Sequence, residues 1–450
     1  YPESALQIGL NRYSREGMKM ATPKEVRIDF SPSTKLEIFK RVNGRCSFPR
    51  CTNVTVGPFL GFDGAINMGV ACHIYSAAED GPRGRGGQTD AFIGSEKNGI
   101  WCCSAHASLI DKKKGNEFPS TVLFAWKELA EARIRKLLDD VPSPLGWVDA
   151  IEFSEYENLI NPPRITLSRN TLIFGRNCSG KTSLMEAAAS VSNSIYAENF
   201  CGTYKDGAYL KYKVQIKYST VDTLNKTLEL EMSNGSLVRR EGKTPYLLPP
   251  GDLEVILCSE RETRRRAHED DVDFLMRYLN IDKAALFYLA EMGGGELLPG
   301  DIKFEQAVDR KYDEFDEEIL TDICKPDGEP YMNLLFRSRG GQYWVSLARL
   351  ATSEYGLLLV SFAVTKARET CKQKLTLFLV DGLIYNFDSY NFEKLLGVLS
   401  KSDFQSALVL PPYQESNILD KDEGVVALKE LDYLVQWQLR VLERSEWGEC

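Results

Sequence analysis

The sequence predicts an α/β protein of two domains, and three observations carry that reading. Residues 164–189 run RITLSRNTLIFGRNCSGKTSLMEAAA, a short apolar strand that enters a glycine-containing loop and then a good helix. Residues 375–381, LTLFLVD, form a second apolar strand that ends on an acid. Far upstream stand two short-spaced pairs, Cys46 and Cys51 in RCSFPRC, then Cys103 and His106 in WCCSAH. Apolar strands alternating with helices point to a parallel sheet in the larger part. The Cys and Cys/His pairs point to a small separate module.

Composition sets the bounds. The chain has 450 residues, 43% hydrophobic and 26% charged, which is ordinary for globular proteins. It holds no run of about eighteen apolar residues, so no membrane span is expected. The opening, YPESALQIGLNRYSREGMKMATPKEV, shows no secretory pattern. Residues 1–23 read as a tail, with Met18 and Met20 as candidate starts. Eleven irregularly spaced cysteines then read as reduced thiols and metal ligands in a cytoplasmic protein. The net charge is −9 and uneven. Residues 18–140 hold 18 Lys and Arg against 14 Asp and Glu, a balance of +4, while residues 1–17 balance to zero. Residues 141–450 therefore carry −13. A basic first part and an acidic remainder predict domains with different partners.

The break falls in DDVPSPLGW, residues 139–147, where Pro, Ser and Gly follow the helical run FAWKELAEARIRKLLDD. That places one domain at 24–140 and the other at 141–450. The charge-dense stretches 259–270, SERETRRRAHED, and 311–322, KYDEFDEEILTD, read as solvated helical surface.

Two short turns, each presenting two ligands, suit a tetrahedral ion. Cys46, Cys51, Cys103 and His106 are the candidate zinc ligands, and a zinc with four protein donors is structural. The competing reading is a set of unrelated thiols and a surface histidine. Between the pairs lie GVACHIYSAAEDGPRG and KNGIW. This order resembles the HNH nucleases, above all a branch with the pattern GVAAHI…GPR…NGIWLC..C..LID. The resemblance covers about residues 40–130 and includes Trp126 and Lys127. It implies a ββα-metal fold. It also implies that His73 is the base that takes a proton from water, that the Asn98 amide orients the His73 imidazole, and that His73 and Asp111 hold Mg²⁺ or Mn²⁺. The His or Asn usual just after the second knuckle is replaced by Ala107, so Asp111, one turn on, takes that place. Arg83 either grips a phosphate bidentately or shapes its loop.

The segment 175–182, GRNCSGKT, fits G-x-x-x-x-G-K-[ST] between strand and helix. Backbone N–H groups from Gly175 through Asn177 to Gly180 are expected to wrap the phosphates of ATP. Lys181 reaches the β- and γ-oxygens, and Thr182 binds Mg²⁺. Asp381 is the expected second Mg²⁺ partner. Residues 338–342, SRGGQ, supply Ser338, Gly340, Gly341 and Gln342 ahead of a long apolar stretch expected to be their helix. They resemble the signature of ABC/SMC/RecF ATPases, in which Asp388 takes the place of the D-loop aspartate. The resemblance spans residues 175–388. It implies an ABC/SMC/RecF-like ATPase domain with a helical lobe at about 230–330 and without a long coiled-coil arm. It further implies a homodimer or higher homo-oligomer, because such nucleotide sites are shared between copies. Two departures stand out. Gly382 replaces the glutamate base, and Pro411 and Pro412 stand where a switch histidine is expected. A lost base costs roughly 10²–10⁴-fold in rate. The expectation is ATP binding with slow hydrolysis, with Glu415 as a candidate replacement acid.

A nuclease module joined to an SMC-like ATPase resembles the Septu-type antiphage systems, also found beside some retrons, where the two are separate partners. The resemblance implies a metal-dependent endonuclease for phage or plasmid DNA, restrained by ATP, in antiviral defence. Two other readings stay open: an ATP-driven DNA clamp whose HNH module only contacts DNA, and a RecF-like repair ATPase with an accessory nuclease. The charge distribution directs DNA to the basic N-terminal part.

Overall fold

The computed structural model describes residues 27–447, apart from 60–62, 140–142, 157–158, 202–203, 206–207, 210, 234–235, 247, 294, 313–316, 423–424 and 444–445. The expected tail 1–23, with Met18 and Met20, lies outside the described residues, as does the middle of the expected break.

The N-terminal part opens with helix α1 (Pro32–Arg41). Ser31 caps it by accepting the Thr34 N–H at 3.1 Å, Pro32 stands at its first position, and Lys40 and Arg41 fill its last turn. Strand β1 (Gly69–His73) pairs antiparallel with β2 (Gly99–Cys103), with His73 opposite Gly99. Helix α2 (Ser104–Ile110) comes directly after β2, and the longer α3 (Ser120–Asp139) packs behind them. His73, Cys103 and His106 lie on these two strands and the adjoining helix, while Asn98 stands just before β2 and Asp111 just after α2.

The larger part holds two sheets. A parallel five-stranded sheet runs in the order β6 (Leu253–Ser259), β7 (Leu375–Asp381), β8 (Gln405–Val409), β4 (Asn170–Gly175), β9 (Trp437–Leu442). Every residue of β7 is buried, as a strand covered on both faces must be. A six-stranded antiparallel sheet contains β3 (Gly146–Tyr156) and β5 (Tyr212–Thr220), bulged against each other at two points. Helix α4 (Lys181–Ala189) is sandwiched between the sheets, where Leu184, Met185 and Ala187 share a core with Val148, Ile216 and Leu377. The small alanines let the two layers close over it. Helix α5 (Thr352–Thr370) covers the other face of the parallel sheet with Leu358, Phe362 and Ala363 against Phe378 and Val380. Helix α6 (Ser389–Ser400) joins that layer through Phe392 and Leu396.

The lobe differs from the helical one expected at 230–330. Residues up to 246 extend the antiparallel sheet, and Leu253–Ser259 is the edge strand of the parallel one. Beyond that strand the lobe mixes helices and strands. Two nine-residue helices, Asp271–Leu279 and Lys283–Glu291, precede a strand at Gly300–Gln306 that pairs with Met332–Ser338, and a hairpin joins Val308–Tyr312 to Glu318–Asp322. The two charge-dense stretches are not helices either. Residues 260–263 are one 3₁₀ turn, and the described part of 311–322 belongs to the hairpin. Cross-strand ion pairs such as Arg310–Glu318 place those charges on a solvated ribbon instead of a helix face. Among the described residues, no helix is long and apolar enough to cross a membrane.

The two parts share a core. Trp147 and Val221 of the larger part belong to the same buried cluster as Cys72, Ile100, Leu123 and Trp126. The Trp126 and Trp147 rings meet edge to face at 5.8 Å. Trp147 is 2% exposed. Trp147→Ala is expected to lower the unfolding free energy by about 3–5 kcal/mol, read by chemical denaturation. A cost near that of a surface substitution contradicts the shared core.

Candidate functional site

The first site begins in the turn between Cys46 and Cys51. The Cys46 N–H bonds the Asn53 carbonyl, the Ser47 N–H bonds the Trp101 carbonyl, and the Cys51 N–H closes on Phe48. These bonds fix the turn against β2. Cys103 is the N-cap residue of α2, and His106 lies in the first turn of that helix. The ligand atoms of Cys46, Cys51, Cys103 and His106 all lie within 4.8 Å of one another. His106 Nδ1 is 3.1 Å from Cys103 Sγ and 3.5 Å from Cys46 Sγ. Phe48 stacks on the His106 ring at 4.0 Å and fixes its plane. The neighbouring Cys102 thiol, by hydrogen bonding, is the main cause that lowers the Cys46 thiol to about 4, with backbone bonds at Cys103 and Phe48 assisting against burial. Three sulfurs and one imidazole, with a thiolate already favoured, form a donor set that fits zinc and leaves no open position.

The second site is a cleft of about 460 Å³ whose lining includes His73, Arg83, Ala107, Ser108 and Asp111. His73 closes β1. Its ring lies flat on Phe30, 3.7 Å away and 3° from parallel. Its Nε2 is buried and has no hydrogen-bond partner among the described residues. Burial, opposed by Asp29, holds its pKa below the ordinary histidine value. Asp111 is 46% exposed and gives one oxygen to Arg83 at 2.7 Å. Ala107, the departure from the HNH pattern, lies on the cleft wall beside Ser108.

One assignment changes, and one open alternative is decided. The Asn98 amide does not orient the imidazole. It is fully buried, and it accepts the Tyr75 N–H at 2.8 Å and donates to the Tyr75 and Ile93 carbonyls at 2.9 and 3.2 Å. A buried amide is held by whichever backbone groups lack partners, and here those are in the loop that leaves β1. Asn98 thus fixes the chain just after His73. Arg83 shapes its loop and offers no free fork to phosphate. With φ of 67° and 6% side-chain exposure, it donates to the carbonyls of Ile74, Ile110 and His73 at 2.6, 2.7 and 3.1 Å. It therefore ties the end of β1 to the end of α2. Lys127 acts similarly from α3, donating to the Gly99 and Glu96 carbonyls while pairing with Glu131 at 2.7 Å.

The third site lies where β4 meets α4. Gly180 stands before the helix with φ of +79°, and a Cβ there would meet Pro163 at 2.7 Å. Cys178, exposed in the loop, also has positive φ, at 64°. Lys181 folds back over the loop that contains Asn177 and donates to the Gly175 and Arg176 carbonyls at 2.6 and 3.0 Å. Burial lowers its pKa, opposed by Asp381 and Glu415. Asp381 ends β7, and burial raises its pKa against a hydrogen bond with Thr182 and the charge of Lys181. Lys181, Thr182, Asp381 and Glu415 thus stand together at the carboxyl ends of the parallel strands. Asp388 caps α6 by accepting the Asn391 N–H at 2.8 Å.

The SRGGQ assignment fails on geometry. Ser338 ends a strand, and Gly340, with φ of +81°, and Gly341 form the turn after it. Gln342 comes after that turn, outside any helix. The helix that should present free N–H groups to a phosphate begins only at Thr352, capped by Ala351. Sequence reading therefore missed the segment Ala351–Glu354, whose Glu354 accepts the Ala351 N–H at 3.1 Å. It also passed over Glu260 and Arg261, which stand just beyond β6 beside Asp381. Their dense charge had marked them as surface. The clue available in the sequence was their place directly after an apolar strand, LEVILCS.

No family model matches the chain, and no curated protein matches it. Solved structures similar to it include an SMC head domain from Thermotoga maritima, 14% identical with a TM-score of 0.35 over 63% of this chain and 99% of that one. Another is the Pyrococcus furiosus Smc head domain with an extended coiled coil, bound to the C-terminal domain of ScpA, at 11% and 0.39 over 64% and 96%. A third is the recombination mediator protein RecF with ATP, at 13% and 0.38 over 63% and 99%.

The purified chain is expected to carry one zinc per copy by elemental analysis. The double substitution Cys103→Ser with His106→Ala should remove it and lower the melting temperature. Full folding of the metal-free chain contradicts a structural ion. N-ethylmaleimide is expected to modify Cys178 and abolish ATP binding, and prior MgATP should protect it, read by peptide mass and nucleotide retention. Unimpaired binding by the alkylated chain contradicts the loop's role.

Proposed function

We propose that the chain is a metal-dependent DNA endonuclease of the HNH type, controlled by ATP bound to its larger domain and acting in antiviral defence in the cytoplasm. The observation that carries this reading is the buried, unpartnered Nε2 of His73 in a cleft shared with Asp111. A buried polar atom without a partner is costly, and functional sites are where such costs are kept. The imidazole, held neutral by burial, takes the proton from the attacking water. The phosphodiester bond to the leaving 3′-oxygen then breaks. Asp111 would hold Mg²⁺ or Mn²⁺, which would supply positive charge at the scissile phosphate, and His73, whose free Nε2 takes the proton, does not share in holding the ion. Arg83 keeps Asp111 and the His73 backbone in one frame. The basic balance of residues 18–140 supports contact with the DNA backbone through this part.

Gly175 to Thr182 cradle the ATP phosphates, and Thr182 with Asp381 would hold its Mg²⁺. Two copies share the nucleotide sites, and ATP keeps the assembled state inactive. Control has a short route to the nuclease, because Trp147 and Asp149 at the start of β3 pack on the zinc turn and α3. Two observations favour a second reading. Phe30 covers the His73 ring, and Ala107 replaces a usual metal ligand, as in a clamp that binds DNA without cutting.

The test is cleavage of plasmid and phage DNA with Mg²⁺ or Mn²⁺, with and without ATP. Wild type should cut, ATP should suppress cutting, and His73→Ala should lose at least about 10²-fold while still binding DNA. No cutting under any nucleotide condition, with binding intact, selects the clamp. Stimulation by ATP overturns the restraint.

A further inference from the structure

We propose that Glu260 supplies the carboxylate that is missing at Gly382 and acts as the base for ATP hydrolysis. The inference rests on the ATP-binding reading above. Gly382 follows Asp381 at the end of β7, where the chain leaves the sheet with φ of +79° and ψ of −49°. β6 and β7 are parallel and in register, with Ser259 opposite Asp381. Glu260 and Gly382 therefore leave the sheet side by side.

An added Cβ at Gly382 would stand 3.0 Å from the Glu260 Cβ and 3.2 Å from its Oε2. That second distance is comparable to the span from a glutamate's own Cβ to its carboxylate oxygens. The carboxylate of Glu260 thus occupies the volume that a glutamate side chain at 382 would fill. The side chain absent at 382 and the one present at 260 thus stand on neighbouring strands at the same level of the sheet. The positive φ disfavours a return to glutamate, because an L side chain at 382 would be strained as well as crowded.

The other nearby acids are already engaged. Glu186 is buried, pairs with Arg261 at 3.0 Å and accepts from Asn199. Glu415 pairs with Lys421 at 2.7 Å. Glu260 is exposed, and its carboxylate makes no ion pair or hydrogen bond among the described residues. It lines an open cavity of about 480 Å³ together with Arg261, Thr263 and Arg264. Burial raises the pKa of Tyr385 to about 12, with the charges of Asp381 and then Glu260 adding to it. Glu260 is therefore close to the acid that ends β7.

In the step assigned to it, a water oxygen bonds the γ-phosphorus of ATP. The bond from that phosphorus to the β,γ-bridging oxygen breaks, ADP leaves with the electron pair, and the water proton passes to the Glu260 carboxylate. Hydrolysis is then retained despite Gly382.

The experiment uses the full chain and measures both binding of a fluorescent ATP analogue and phosphate release from ATP. Glu260→Gln should bind the analogue as wild type does and lose roughly 10²–10⁴-fold in phosphate release. Glu260→Asp keeps a carboxylate and should retain part of the rate, and Glu415→Gln should lose less than Glu260→Gln does. The proposal is overturned if Glu260→Gln hydrolyses at the wild-type rate, if only Glu415→Gln is inactive, or if wild type binds ATP and releases no phosphate. Absence of binding by wild type instead overturns the ATP-binding reading itself.

Discussion

The arrangement depends on one contact, the seating of the zinc-ligand turn and α3 on the start of β3. A module of this size, whose described strands are three to five residues long, cannot bury both faces of a twenty-residue helix by itself. Trp147 completes its core, and polar bonds surround the join. The Pro49 carbonyl, within the Cys46–Cys51 turn, accepts the Ser219 hydroxyl at 3.1 Å, and Arg133 Nε donates to the Thr220 carbonyl at 3.1 Å. Arg50, in the same turn, faces Asp149 at 3.4 Å. Burial raises the Asp149 carboxyl to about 7, with Arg50 and Arg133 opposing. The turn that would hold zinc is thus also the turn that grips the other domain, so the ion's support extends to the joint.

From that joint the sites are placed by strand geometry. β3 enters the antiparallel sheet, α4 lies under that sheet, and the loop before α4 is the candidate phosphate cradle. On the module side, β1 ends at His73 and α2 ends beside Asp111, with Arg83 bridging the two ends. His73, Asp111, Lys181 and Asp381 each stand at the end of an element whose body is fixed by packing. This is how a rigid scaffold presents reactive groups without carrying them on loose loops.

Local chemistry was legible in the sequence, and long-range pairing was not. The spacing of Cys46, Cys51, Cys103 and His106 named a group that the fold gathers within 4.8 Å. GRNCSGKT named a loop between strand and helix, and the chain forms it there. The loop and each ligand pair join neighbours in sequence, and the meeting of the two pairs is the one distant contact that residue type alone named. SRGGQ misled because its strand is set by pairing with Gly300–Gln306, a partner no local pattern reveals. Asn98 misled because the choice between an imidazole and the Tyr75 backbone is decided by which buried groups remain unpaired. Glu260 was hidden because charge density reads as surface unless the adjoining strand is known to end beside another acid.

Phe30, stacked flat on His73, carries a kinetic consequence. Any group that approaches the ring from that face must first displace the phenyl, so the exposed ring is one state of an equilibrium. Apparent affinity for such a ligand is weakened in proportion to the population with Phe30 lifted. Segment 27–30 then sets a threshold on encounter, and a substitution that merely shortens the aromatic side chain acts on the occupancy of the open state without touching the chemistry inside.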